Sequence, residues 1–87
     1  MWWLSFADGR LPKGTQFLGA CLVRAGDMLS AVARAHALGI NPGGEVIGYE
    51  VPERAVQAID ECDVETLMSR KESEALDAKW MARLSDA

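Results

Sequence analysis

Two loops contain the residue types needed to bind an anion. Arg10 and Lys13 supply positive charge in the first loop, and Gly43 and Gly44 supply bare backbone in the second. Unpaired backbone N–H groups beside cationic side chains form concave anion sites. The run Lys13-Gly14-Thr15 resembles the end of a phosphate-binding P-loop, but the upstream glycine spacing is absent and a predicted strand follows. The pattern therefore predicts capture of an anion and not nucleotide hydrolysis.

Two adjacent tryptophans, Trp2 and Trp3, could add a stacking surface to this site. Consecutive strand residues face opposite sides of a sheet, so we expect one indole in the core and the other partly exposed. An exposed indole can stack on a nucleobase and contribute ~1–3 kcal/mol. It can equally anchor a protein interface, where tryptophan is enriched. Core or oligomer packing and ligand stacking both stay open.

The C-terminal part of the chain is acidic. Residues 53–87 carry nine acidic and five basic side chains, whereas residues 1–52 carry four of each. Asp60, Asp63 and Glu65 could meet a basic protein surface or mimic nucleic acid, and the alternative is a solvated linker.

A stripe of large apolar residues recurs every four positions near the C-terminus, at Leu76, Trp80 and Leu84. On a helix these side chains share one face, which either covers the sheet or docks on another subunit. Because 49% of the residues are hydrophobic, we expect a homo-oligomer.

No pattern indicates catalysis, a metal or a cofactor. His36, the one histidine, falls in the last turn of a predicted helix, where it interacts favourably with the helix dipole. Asp8 could act as a base, but an aspartate in this position more often caps the following turn. Cys21 and Cys62 lack metal-ligand spacing. We therefore expect a protein that is not an enzyme.

Charge and hydropathy exclude other classes. A net charge of −4 without a basic stripe argues against direct nucleic-acid binding. No segment approaches the ~20 apolar residues of a membrane span, and from the residues that follow Met1 we expect no secretion signal. We expect a soluble cytoplasmic protein.

The element pattern predicts a single α+β domain over residues 1–87, with a ββαβ core at 1–51 and an acidic helical segment at 52–87. The order is β-β-α-β-(α)-α, and helices pack on a sheet of three or four strands. Strands are predicted at Trp2–Ala7, Thr15–Ala25 and Glu45–Val51, with Val64–Met68 as a possible fourth. Helices are predicted at Met28–Leu38, Glu53–Ile59 and from the capping box Ser69–Glu72 to about Leu84.

The predicted topology makes the second strand central and pairs it in parallel with the third through a right-handed crossover. The third strand is expected to turn Ile47, Tyr49 and Val51 inward. This arrangement brings the loop of Arg10 and the Gly43-Gly44 corner to the same end of the sheet.

Three segments resemble small uncharacterised proteins of phages and bacteria: Trp3-Leu-Ser-Phe-Ala-Asp8, Phe17-Leu-Gly-Ala-Cys21 and Asn41-Pro-Gly-Gly-Glu-Val46. Small acidic phage proteins include oligomeric sponges for nucleotide signals and anti-CRISPR proteins that cover an effector surface. The resemblance implies an anti-defence role in the host cytoplasm and assigns no functional residue.

The leading hypothesis is a non-enzymatic protein that captures a small anionic, nucleotide-like ligand. The alternative is a protein-interaction inhibitor that presents its acidic face to a host effector.

Overall fold

The computed structural model describes the backbone of residues 1–85 and the side chains of residues 1–83. The α+β class and the predicted order of elements are confirmed. The strands are β1 (Trp2–Ala7), β2 (Phe17–Val23) and β3 (Glu45–Glu50), and the helices are α1 (Met28–Ala37), α2 (Glu53–Val56) and α3 (Arg70–Ser85). A short 3-10 turn, Glu61–Asp63, lies between α2 and α3.

The three strands form one antiparallel sheet in the order β2-β1-β3. The predicted parallel pairing of β2 with β3 is therefore wrong, because β1 lies between them. β1 is the central strand and β2 is at an edge. The reason is that the chain forms a β1–β2 hairpin, and the crossover through α1 carries it past β2 to the free side of β1.

Helix α1 covers one face of the sheet. The buried cluster between the helix and the sheet contains Leu4, Phe6, Cys21 and Val23 of the strands and Ala31 and Ala35 of the helix. Val46 of β3 packs against this cluster. A Cβ built on Gly48 would lie 2.9 Å from Cδ2 of Leu4, so the absence of a side chain lets β3 approach the core closely.

The inward face predicted for β3 is wrong at two of its three positions. Ile47 is 70% exposed and Tyr49 is 57% exposed, whereas Val51, just after the strand, is buried. The register pairs Phe6 with Val46 and Leu4 with Gly48, so the even-numbered residues of β3 face α1. Ile47 and Tyr49 consequently point to the opposite side of the sheet.

Helix α3 covers part of that opposite face. A second cluster here contains Leu22, Val51, Ala55, Met68 and Leu76, with Trp3 and Trp80 packed against it. The outer edge of β2 is covered by the segment that precedes α3. This predicted fourth strand forms only two isolated bridges, Ala20 with Met68 and Leu22 with Val64. Both edges of the hairpin are thereby paired, and the outer edge of β3 alone remains unpaired among the described strands.

The predicted helix boundaries follow local signals that the structure confirms. Asp27 caps α1 by accepting a hydrogen bond of 2.7 Å from the Ser30 N–H. Gly39, with φ +74°, ends the helix with the paired backbone hydrogen bonds of a Schellman motif. Ser69 and Glu72 form the reciprocal bonds of a capping box at the start of α3. Helix α2 is shorter than predicted and ends at Val56.

Within residues 1–85, none of the helices has the length and apolar character needed to cross a bilayer.

Candidate functional site

The loop of Arg10 and the diglycine corner lie at the same end of the sheet, as predicted. The reason differs from the expected one: both flank the pairing of Ala7 in β1 with Glu45 in β3. Asp8, Gly9, Arg10, Gly44 and Glu45 line a depression of about 250 Å³ between them.

The charge in this depression does not favour an anion. Nε and a terminal nitrogen of Arg10 each donate to one carboxylate oxygen of Asp8 at 3.0 Å. The Arg10 backbone N–H also donates to Asp8, so this aspartate caps its turn. These hydrogen bonds lower the pKa of Asp8 and raise the pKa of Arg10. Because Glu45 also lines the depression, its carboxylates outnumber its cations.

The diglycine corner offers less free backbone than the sequence suggests. The Gly43 N–H donates to Oδ1 of Asn41 at 2.8 Å. A Cβ on Gly44, which has φ +73°, would lie 2.5 Å from the Ala7 carbonyl oxygen, so this glycine is needed for close packing. Lys13 is exposed and does not line the depression.

Trp2 and Trp3 lie at the other end of β1, paired with Glu50 and Tyr49 of β3. Trp2 and Ala7 are separated by roughly 17 Å of extended strand. Both indoles are half-buried, Trp2 beside the α1 core and Trp3 beside the α3 cluster. Nε1 of Trp2 is buried without a hydrogen-bond partner among the described residues. The structure therefore does not bring the tryptophans to the corner, and anion capture stays a prediction.

The acidic residues of the predicted interaction face are paired within the chain. Asp60 bonds Lys79 at 2.7 Å and Arg83 at 3.1 Å, and Lys79 also bonds Asp63 at 3.0 Å. These contacts, with the Lys79 hydrogen bond as the largest cause, lower the pKa of Asp60 to about 2.

Glu65 is paired too, on the other side of the same segment. It accepts two hydrogen bonds from Arg34 of α1, at 2.6 and 3.0 Å, and Arg24 pairs with Glu61. The pKa of Glu65 is lowered, chiefly by the Arg34 hydrogen bonds. Residues 60–65 therefore form an ion-paired segment between α1, β2 and α3, which we call the strap. A large part of its negative charge is balanced by neighbouring cations.

The helix stripe proposed for oligomerisation is used inside the chain. Leu76 is buried, and the Trp80 indole meets that of Trp3 edge to face with centroids 5.9 Å apart. Leu84 lies outside the residues whose side chains are described. The stripe thus covers the sheet, which is one of the two roles that the sequence left open.

A different apolar surface is exposed, and sequence reasoning missed it. Ile47 and Tyr49 project side by side from β3 on the face that α3 leaves open. Beside them a groove of about 210 Å³ runs between the end of β3 and α3. The groove is lined by Tyr49, Val51, Pro52, Arg54, Ala55, Asp77, Trp80 and Met81. The alternation of Ile47, Tyr49 and Val51 was the available signal, but it was assigned to the core.

The backbone of β3 adds hydrogen-bonding groups to this surface. The Val51 N–H bonds the Met1 carbonyl at 2.9 Å, so Val51 faces β1. In an antiparallel pair the direction alternates with each residue. The N–H and C=O groups of Val46, Gly48 and Glu50 therefore point away from β1, to the unpaired edge.

Several exposed ionisable groups lie around this edge, among them Glu45, Tyr49 and Arg54. Glu45 and Arg54 form no ion pair with any residue of the described part of the chain. Partial burial, followed by the charge of Asp77, raises the pKa of Tyr49. The phenol is therefore neutral at physiological pH and able to pack against apolar groups.

Residues 1–85 contain no group of three or more side chains suited to hold a metal ion. Comparison of the chain with protein-family models, curated proteins and solved structures gave no significant match. The likeness to small phage and bacterial proteins accordingly stays a prediction.

Proposed function

We propose that this chain is a non-enzymatic protein-interaction module that binds a polypeptide by strand addition to β3. Strand addition joins the backbone of an extended segment to a free sheet edge, and neighbouring side-chain pockets supply specificity. This belongs to the class of the interaction-inhibitor hypothesis, but it uses an apolar strand in place of the acidic strap.

One observation carries the proposal: an unpaired edge strand presents Ile47 and Tyr49, both more than half exposed, next to a groove. Exposed edge strands in natural proteins are usually protected by charged side chains, proline, a bulge or a covering element. β3 contains no proline and no bulge, and its charged residues are confined to its two ends, Glu45 and Glu50. Its side chains instead suit cross-strand pairing, which aromatic and β-branched residues stabilise.

The electrostatics of the other two candidate surfaces support the choice. The corner already neutralises Arg10 with Asp8, and the strap already pairs Asp60, Asp63 and Glu65. Binding at Ile47 and Tyr49 breaks no ion pair of the described chain and removes exposed apolar surface from water. Burial of apolar surface stabilises an interface by about 25 cal/mol per Å² before the costs of association.

We infer that the module acts in a reducing compartment such as the cytoplasm. Both cysteines are free thiols, and Cys62 is exposed. Exposed free thiols are uncommon in oxidising compartments, where they pair or react.

Site-specific photo-cross-linking in the cells that encode the protein tests the proposal. A benzophenone amino acid replaces Tyr49 in one variant and Leu29 in the control. Leu29 is 82% exposed and lies on α1, across the sheet from Tyr49. We expect a covalent polypeptide adduct from position 49 and none above background from position 29.

A second pair of variants shows whether the captured chain is bound by strand addition. Glu50→Pro removes a backbone donor that points to the free edge and leaves the ladder with β1 intact. Glu50→Gln removes the same charge and keeps the donor. The adduct should disappear with Glu50→Pro and persist with Glu50→Gln. Equal adducts from positions 49 and 29, or insensitivity to Glu50→Pro, would overturn the proposed function.

A further inference from the structure

Resting on the proposed function, we infer that the polypeptide bound at β3 is a second copy of this chain. The two β3 strands pair antiparallel across a two-fold axis at Gly48. The three strands of each copy then form one continuous sheet.

The backbone selects this register. A two-fold axis at Gly48 places Gly48 opposite Gly48 of the second copy, and Val46 opposite Glu50 of the second copy. These are the residues whose N–H and C=O groups point to the free edge. Each outward donor therefore meets an outward acceptor, and all the pairs fall within the extended span Glu45–Glu50.

Neighbouring registers lose hydrogen bonds. An axis at Ile47 sets Glu50 opposite Gly44, whose φ of +73° is not extended. An axis at Tyr49 sets Val46 opposite Pro52, which has no N–H. Of these three registers, only the one with its axis at Gly48 gives a hydrogen-bond partner to every backbone N–H and C=O that points to the free edge of β3.

The same register pairs the exposed side chains. Ile47 lies directly opposite Tyr49 of the second copy, and Tyr49 lies opposite the second Ile47. Both pairs occupy non-hydrogen-bonded positions, where strands approach most closely, at a Cα separation of about 4.5 Å. Aromatic and β-branched partners are a favourable combination on a sheet face. The two exposed large hydrophobic residues of β3 are thus buried by each other.

Charge complementarity argues for a second copy in particular. The register places Glu45 opposite Val51 of the second copy, on the face where the groove lies. Arg54 lines that groove together with Val51; Asp77 also lines it, but no ion pair joins this acid to Arg54. Glu45 of one copy and Arg54 of the other, both without an ion pair in the described chain, therefore lie at the same end of the paired strands. The two-fold axis repeats the pairing at the opposite end.

Within one copy these two charges belong to opposite ends of the strand. Glu45 and Val51 are separated by roughly 20 Å of extended chain. A direct Glu45–Arg54 ion pair can therefore form only between copies, which makes charge exchange a specific test.

Sedimentation equilibrium of the purified chain, residues 1–87, is the experiment. We expect a monomer–dimer equilibrium that Tyr49→Lys weakens about tenfold or more, because both symmetry-related pairs are lost. Leu29→Lys introduces the same charge on α1 and should leave the equilibrium unchanged. Circular dichroism of each variant checks that the monomer remains folded.

The charge exchange completes the test. Glu45→Arg and Arg54→Glu should each weaken the dimer, and the double variant should restore it. A chain that stays monomeric, a dimer insensitive to Tyr49→Lys, or a double variant without recovery would overturn the inference. A monomer that still gives an edge-dependent adduct at position 49 with another protein would overturn this inference alone and leave the proposed function intact.

Discussion

The indole rings of Trp3 and Trp80 meet edge to face, with centroids 5.9 Å apart and planes at 73°. This contact fixes α3 to the central strand β1. It also turns Leu76 and Trp80 of α3 toward the sheet, so the exposed apolar surface beside the helix is formed by Ile47 and Tyr49 of β3 together with Met81.

Replacing Trp80 should therefore destabilise the fold. We expect Trp80→Ala to lower the free energy of unfolding by about 3 kcal/mol, because it leaves a cavity beside Trp3. Urea denaturation measures the loss. Leu29→Ala, at an exposed helical position, should change stability by no more than about 0.5 kcal/mol. Equal effects of the two substitutions would contradict the packing role of Trp80.

Acid should loosen the ion-paired strap. The hydrogen bonds from Lys79 and Arg83 lower the pKa of Asp60 from 3.8 to about 2 in the folded protein. A group with a lowered pKa stabilises the fold above its unfolded value and loses that contribution as pH falls through the folded value. Stability should therefore decline between about pH 4 and pH 2. Urea denaturation across this range should give a shallower decline for Asp60→Asn, and an identical pH profile would contradict the assignment.

Glu65 combines an ion pair with a strained backbone. Its φ is +59°, a region that costs a non-glycine residue roughly 1–2 kcal/mol. Glu65→Ala and Glu65→Gly both remove the carboxylate bound by Arg34, but only glycine relieves the strain. We expect Glu65→Gly to be more stable than Glu65→Ala by about 1 kcal/mol in thermal or urea unfolding. The reverse order would show that the left-handed conformation is not retained.

The cysteines should differ in reactivity. Burial raises the pKa of the Cys21 thiol to about 11, and its side chain lies in the α1 core. Cys62 is exposed. Because the thiolate is the nucleophile, iodoacetamide at mildly alkaline pH should label Cys62 rapidly and Cys21 only after unfolding. Mass spectrometry of the labelled chain reads both rates, and rapid labelling of Cys21 in native buffer would contradict the buried assignment.

The sequence predicted the elements because their signals are local. Asp27, Gly39 and the Ser69–Glu72 box act within a few residues of the helix ends that they set. The α+β class followed from these boundaries, whereas the convergence of the two loops was predicted from a parallel pairing of β2 with β3 that the structure does not contain. The strand order could not be predicted from local signals. Whether β3 pairs with β1 or with β2 depends on how α1 packs on the sheet.

The candidate site was missed for the same reason. Ile47, Tyr49 and Val51 alternate as a buried strand face would, and periodicity alone cannot tell the covered part of a face from its open part. Gly48 favours the orientation, because a Cβ at this position would lie 2.9 Å from Cδ2 of Leu4. The pairing of Arg10 with Asp8, two residues apart, was visible in the sequence but was not weighed as neutralisation.

Amide hydrogen exchange along β3 tests the docking edge most directly. In dilute solution, Ile47 and Tyr49 amides, which face β1, should be protected, whereas Val46, Gly48 and Glu50 amides, which face the free edge, should exchange fast. In concentrated solution, the account predicts that the second group becomes protected and that Tyr49→Lys removes this protection. Fast exchange of Val46, Gly48 and Glu50 at every concentration would contradict the pairing of β3 with a second copy.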